Sequence, residues 1–344
     1  MYKKLVDRLA KDNVLDRDEY LKLIKNRDSV REYAAGLATE VRIQHYGDRV
    51  FIRGLIEFTN NCRNNCYYCG IRVGNRCVER YRLDPSEIVS CADAGFKLGF
   101  RTFVLQGGED NFYTDDILTD IISKIKKNHP DCAVTLSVGE RSYESYRALK
   151  EAGADRYLLR HETVNPRHYK KLHPENMSHE NRLMCLRMLK ELGYQTGAGF
   201  MVGSPGQTVE DLADEMLFLK ELDPQMVGIG PFIPHKDTPF AAQEPGSAEM
   251  TTFLLSLIRL TLPRVLLPAT TALGTIDPLG REKGIMAGAN VLMPNLSPAG
   301  VRDKYLLYDN KICTGDEAAQ CIECLKARIE KTGCRIVTER GDYK

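Results

Sequence analysis

Between residues 51 and 293, eight apolar, β-rich runs alternate with seven helical patterns, and this alternation predicts an α/β chain folded as a (β/α)8 TIM-type barrel. Polar residues able to do chemistry follow the runs one after another, as they do at the C-terminal mouth of a barrel. No G-x-G-x-x-G phosphate fingerprint follows the first run, which weakens the main alternative, a doubly wound open sheet.

Residues 1–46 read as a helical extension, with Leu5, Leu9, Tyr20, Leu21, Leu23 and Ile24 forming short apolar stripes between charges. Such helices form a cap or bottom layer rather than a site. The barrel is expected over 47–300. Its strands lie at 51–57, 101–105, 133–138, 156–160, 195–202, 225–231, 264–269 and 289–293. Its helices lie at 85–99, 115–127, 142–152, 179–192, 208–222, 247–261 and 281–287, with Gly153 and Gly193 placed where left-handed caps belong. Residues 301–344 form a C-terminal segment.

Composition narrows the function classes. The 344 residues include 48 basic and 47 acidic ones, a balance that offers no electrostatic footprint for nucleic acid. The first 25 residues are charged throughout and lack a signal-peptide core, and no apolar run is long enough to span a membrane. Eleven cysteines, an odd number without a secretion signal, point to a reducing compartment, so a cytoplasmic protein is expected.

The first strand runs into Cys62, Cys66 and Cys69, spaced C-x3-C-x2-C. Three thiolates on one loop can hold three irons of a 4Fe–4S cubane and leave the fourth iron open. Structural zinc normally takes four protein ligands, and here a fourth would come from Cys77 or a distant residue. After the second strand comes Gln106-Gly107-Gly108-Glu109, either a plain turn or a place where bare backbone meets a ligand. Arg160-His161-Glu162-Thr163 ends the fourth strand. By strand alternation Arg160 and Glu162 face one side, as a surface ion pair or with the carboxylate on a ribose. Arg182 opens the next helix, either solvated or aimed at the barrel top to clamp a carboxylate. Cys313, Cys321 and Cys324, spaced C-x7-C-x2-C, offer a second metal site, with zinc or a vestigial cluster as alternatives. Cys77, Cys91, Cys132, Cys185 and Cys334 stand singly and read as small core or surface residues.

The cysteine triplet resembles the signature of the radical S-adenosylmethionine enzymes. Segments 56–70, 104–110, 155–163, 197–208, 228–235 and 268–272, in their order and spacing, are similar to the HydE-type maturases of the FeFe hydrogenase. The resemblance implies a 4Fe–4S cluster on Cys62, Cys66 and Cys69, with Tyr68 beside the adenine of S-adenosylmethionine. It implies that Gln106, Gly107, Gly108, Glu109, Glu162 and Arg182 surround that cofactor. Thr135, Ser137, Arg156, Met226, Thr270, Thr271 and Tyr305 are expected to line the lumen where substrate sits. Cys313, Cys321 and Cys324 correspond to a peripheral second cluster present in some members. Ser204 departs from the family, which carries leucine before the Pro205-Gly206 pair.

The activity so implied is reductive cleavage of S-adenosylmethionine to a 5′-deoxyadenosyl radical, acting on a cysteine-bound iron carbonyl cyanide unit. The implied partners are a small iron-containing substrate, a one-electron reductant and other hydrogenase maturases. Rival classes are a methylornithine- or biotin-synthase-like radical enzyme on an organic substrate, a non-catalytic iron–sulfur scaffold, and a barrel lyase with structural zinc.

Overall fold

The computed structural model describes residues 1–312, 314–315 and 322–344. Helices α1 (Tyr2–Asp12), α2 (Arg17–Lys25) and α3 (Arg31–Tyr46) open the chain. They pack on the barrel's flank, α2 against α9 (Val209–Leu222) and α3 against α10 (Ala248–Thr261), rather than across its bottom.

The barrel wall begins with β1 (Arg49–Ile52) and β2 (Gly54–Thr59), one predicted run broken at Arg53. Then β3 (Thr102–Gly107), β4 (Ala133–Ser137), β5 (Arg156–Leu158), β6 (Gln195–Ala198) and β8 (Met226–Val227) add in parallel order, each beside its predecessor. The short pair β7 (Met201–Val202) and β9 (Gly230–Pro231) extends β6 and β8 toward the mouth. The seventh position is reduced to bridges, Met226 to Leu266 and Pro268 to Val291. Proline at 268 has no N–H to give a longer ladder. Strand β10 (Val291–Leu292) pairs with β1, and Asn295 bridges to Leu55, which closes the ring. The (β/α)8 prediction is met.

Helices α4 (Pro85–Lys97), α5 (Asp115–Asn128), α6 (Tyr143–Glu151) and α8 (His179–Glu191) cover the outside with α9 and α10. Their starts follow sequence logic. Thr114, Ser142, Ser178 and Ser247 each accept a backbone N–H at the N-cap, and Asp84 and Thr208 form capping boxes with Glu87 and Asp211. Short helices α7 (Pro166–Leu172), α11 (Thr271–Ile276) and α13 (Ala299–Arg302) were not expected. Helix α12 (Gly280–Met286) was, and α14 (Ile322–Glu330) belongs to the C-terminal segment. Among the described residues no helix is long and apolar enough to cross a membrane.

The C-terminal segment returns to the bottom of the barrel. Strand β11 (Arg335–Val337) pairs in parallel with β1. Beyond it, residues 340–342 lie under the floor, against the start of β5.

Candidate active site

The cysteine loop leaves the C-terminal end of β2 and holds its shape through its own side chains. The Arg80 guanidinium donates to four loop carbonyls, those of Asn60, Ile71, Arg72 and Asn75. Asn65 accepts from Arg72 Nε at 2.7 Å and from the Gly74 N–H at 3.1 Å. So fixed, Cys62, Cys66 and Cys69 all line one cavity of about 290 Å³ at the barrel mouth. Burial raises the pKa of all three thiols, Cys69 to about 12. Buried sulfurs become thiolates when positive charge sits beside them, and iron supplies it.

Gly108 gives the loop its room. A Cβ there would lie 2.2 Å from the Asn61 carbonyl oxygen and 2.7 Å from Cys62 Cβ, so only glycine lets β3 end against the cysteine loop. Gly107 and Gly108 line the same cavity as the sulfurs. A cradle of bare backbone beside three sulfurs fits a cluster carrying an amino-acid ligand on its open iron.

Every residue expected around the cofactor reaches this cavity: Tyr68, Gln106, Gly107, Gly108, Glu109, Glu162 and Arg182. Tyr68 Oη is 3.3 Å from His173 Nε2, while His173 Nδ1 is 3.0 Å from the Tyr169 carbonyl. Burial holds the His173 pKa down to about 3, so the ring is neutral. It donates from Nδ1 and accepts the Tyr68 hydroxyl at Nε2. Glu109 accepts from the Glu140 N–H at 3.1 Å and pairs with Arg63 at 3.1 Å. Arg160 pairs with Glu162 at 3.0 Å, and both face the cavity, so the ion pair lies in the mouth rather than on the outer surface. Arg182 Nε lies 2.7 Å from Glu140 Oε1 and Nη2 lies 3.7 Å from Glu109 Oε1. Neither contact is aligned as a hydrogen bond, and Nε is left without one.

The expected lumen residues divide. Ser137, Thr270 and Tyr305 line the mouth cavity, where Gln106 Nε2 approaches Tyr305 Oη at 3.4 Å. Thr135 and Met226 lie deeper, on a small inner cavity that shares Leu158 with the upper one. Thr271 does not join them. It begins α11 behind Thr270, whose hydroxyl caps that helix.

Arg156 is a correction. It is fully buried at the bottom end of β5, reaches neither cavity, and binds Thr102, Gln195 and the tail residues Arg340, Gly341 and Asp342. It opens β5, and the first residue of a barrel strand lies at the floor, away from the mouth.

Sequence reasoning passed over Arg53. This buried arginine projects into the inner cavity, where Nη1 touches Met226 Sδ at 3.0 Å while Nε and Nη2 have no partner. A charge in the middle of the apolar run that forms β1 and β2 was the available signal. Glu57, on the next strand, was also missed. It pairs with Lys311 at 2.6 Å and accepts from Asn295 at 2.8 Å, wholly out of water. Lys311 also donates to the Tyr305 carbonyl at 2.8 Å, so this buried pair braces the wall that carries Tyr305. Ser204 packs without strain, its hydroxyl 3.3 Å from His168 Nε2. Of the second cysteine group, Cys324 is exposed on α14, and Cys313 and Cys321 lie outside the described residues.

Residues 56–219 match the family description "Radical SAM superfamily". Over 308 residues, 90% of this chain and 88% of the other, the sequence is 54% identical to the [FeFe] hydrogenase maturase subunit HydE of Thermotoga maritima. It is 28% identical over 299 residues, 86% and 83% of the two chains, to 3-methylornithine synthase of Methanosarcina acetivorans. The crystal structure of a methylornithine synthase superposes with a TM-score of 0.83 at 26% identity, covering 97% of each chain. HydG, a maturase of the [FeFe]-hydrogenase, gives 0.82 at 19% identity over 98% of this chain and 76% of the other, a likeness of fold alone.

Proposed function

The chain belongs to the radical S-adenosylmethionine superfamily, enzymes that use a 4Fe–4S cluster and S-adenosylmethionine, and from that premise we propose that it is a maturase of the HydE type. Its substrate would be a cysteine-bound iron carbonyl cyanide precursor of the hydrogenase diiron centre. When bound, cluster and cofactor supply a 5′-deoxyadenosyl radical after one-electron reduction.

The chain's own residues bind and orient. Cys62, Cys66 and Cys69 hold the cluster, and Tyr68, steadied by neutral His173, borders the adenine. Glu162 accepts the ribose hydroxyls, with Arg160 holding its carboxylate in place. Arg182, short of aligned partners, turns its planar fork to the cofactor carboxylate. The backbone at Gly107 and Gly108 meets the amino group, and Gln106 and Glu109 close that side. Ser137, Thr270 and Tyr305 line the descent to the lumen, which excludes water from the radical.

The observation that carries this reading is the stacking of two cavities that share Leu158 in their walls. Three sulfurs stand at the upper rim, and the Arg53 guanidinium, with Nε and Nη2 unpaired, lies in the lumen below with Thr135 and Met226. A buried guanidinium with two unpaired nitrogens favours an anionic substrate group, such as a carboxylate or cyanide ligand. The remaining partners are a one-electron reductant and the other maturases, in a cytoplasmic setting. Cys313, Cys321 and Cys324 would hold a peripheral second cluster that cofactor cleavage does not need.

The test is in vitro maturation of an apo-hydrogenase by a mixture lacking only this component. Adding the reconstituted protein should restore hydrogenase activity, and Arg53→Met should restore far less while still cleaving S-adenosylmethionine. Failure to restore activity, together with a wholly organic product of turnover, would move the assignment to the methylornithine-synthase type.

A further inference from the structure

Glu162 has a backbone that needs explaining. Among the described residues, four that are not glycine have positive φ: Asn13, Asp223, Asn310 and Glu162, the last at +67°. Asparagine and aspartate tolerate that left-handed region, but a glutamate has no such ease and persists there only when its surroundings impose it. The strain falls on the residue assigned to the ribose.

The surroundings that impose it are visible one residue back. His161 and Glu215, on α9, are both wholly buried, with His161 Nε2 2.7 Å from Glu215 Oε2. The Gly199 N–H donates to His161 Nδ1 at 3.3 Å, so Nδ1 carries a lone pair and the ring proton sits on Nε2, facing Glu215. The other Glu215 oxygen accepts the Val164 N–H at 2.7 Å. The Glu162 N–H donates to the Gly199 carbonyl at 3.1 Å. Gly199 itself cannot yield, because a Cβ there would lie 2.0 Å from the Gly228 carbonyl oxygen. The chain is thus pinned at 161 and 164 by Glu215 and at 161 and 162 by Gly199. Glu162 is left to make the turn between them.

We propose that the buried His161–Glu215 pair positions the cofactor-binding carboxylate, holding Glu162 in its left-handed conformation so that its side chain enters the mouth cavity. Neither His161 nor Glu215 lines that cavity, so they act through Glu162 and are not catalytic residues. The proposal rests on the assignment of Glu162 to S-adenosylmethionine.

The hydrogen-bond pattern makes Glu215→Gln a specific probe. A glutamine amide has one oxygen and one NH2, whereas the site presents two donors, His161 Nε2–H and the Val164 N–H. In either orientation of the amide one of the three bonds of the relay is lost, although the volume is kept. His161→Gln, by contrast, offers an oxygen to Gly199 and an NH2 to Glu215, and His161→Leu offers neither.

The test is anaerobic equilibrium titration of S-adenosylmethionine into the cluster-loaded protein, with iron content and melting temperature measured in parallel. Glu162→Ala should weaken binding by ten-fold or more. Glu215→Gln should weaken it several-fold with iron content unchanged, and adding Glu215→Gln to Glu162→Ala should cause no further loss. His161→Gln should bind close to wild type and His161→Leu should not, a contrast that remains readable if Glu215→Gln folds poorly. Wild-type affinity in Glu215→Gln, or a loss that adds in full to that of Glu162→Ala, would overturn the proposal. Unchanged affinity in Glu162→Ala would remove its premise and the Glu162 assignment together.

Discussion

At the floor of the barrel all three nitrogens of Arg156 are engaged, with Gln195, Thr102 and the tail residues 340–342. At the mouth Arg182 has two acidic neighbours and no aligned hydrogen bond, and Arg160 Nε is also unpartnered. Both ends bury arginine close to carboxylates, yet only the floor satisfies it. The saturated guanidinium of Arg156 belongs to the scaffold, and the spare donors of Arg182 open on the cavity that holds the three sulfurs. The backbone tells the same story, since the left-handed Glu162 stands at the mouth. Charge and burial alone do not tell Arg156 from Arg182, whereas their hydrogen bonds do.

The largest effect should come from the mouth. Cys66→Ala leaves two thiolates on the loop, too few for a cubane, so the oxygen-sensitive cluster absorption and S-adenosylmethionine cleavage should both vanish. Retention of both in the variant would remove the mouth's claim to the chemistry. The brace behind the wall of Tyr305 comes next. Lys311→Ala strands the buried Glu57 carboxylate and should cost about 3–5 kcal/mol in denaturant unfolding, while Lys311→Met combined with Glu57→Gln should recover most of it. Equal losses in single and double variants would show that packing, not the ion pair, holds Tyr305's wall.

The smallest effect belongs to the floor and depends on pH. Although partial burial opposes it, hydrogen bonds from Arg340 and Arg156 pull the Asp342 carboxyl from 3.8 down to about 2. A depressed carboxyl stabilises the fold above its unfolded pKa, and that contribution is lost as pH falls through the folded value. The melting-temperature gap between wild type and Asp342→Asn should therefore be full near neutral pH and close between about pH 4 and pH 2. A gap that stays constant with pH would mean the tail is held by its backbone contacts alone.

Much of this was legible in the chain. Helix starts were marked by Asp84-Pro85, Thr114, Ser142, Thr208 and Ser247, because caps are local signals. Helix α7 was overlooked although Asn165-Pro166 announces it, since only seven residues follow and no apolar period develops. Strand alternation placed Arg160 and Glu162 on one side and the family resemblance put Arg156 in the lumen, but neither gives depth, and depth divides floor from mouth. The tail partners of Arg156 lie some 185 residues away, beyond any local pattern. Arg53 and Glu57 were lost for the opposite reason, two charges absorbed into one apolar run. The left-handed turn at Glu162 has no sequence signal, because it is imposed from His161, Gly199 and Glu215, far apart in the chain.

The division of labour between mouth and floor is tested most directly by measuring S-adenosylmethionine affinity and melting temperature together in Arg182→Ala and Arg156→Ala. Arg182→Ala should weaken cofactor binding by roughly ten- to a hundred-fold, the worth of a charge-assisted hydrogen bond, with iron content intact and little change in melting. Arg156→Ala should lower stability by about 2–4 kcal/mol and leave the affinity of the folded, cluster-loaded protein unchanged. The reverse pattern, affinity lost at the floor and stability lost at the mouth, would contradict the account.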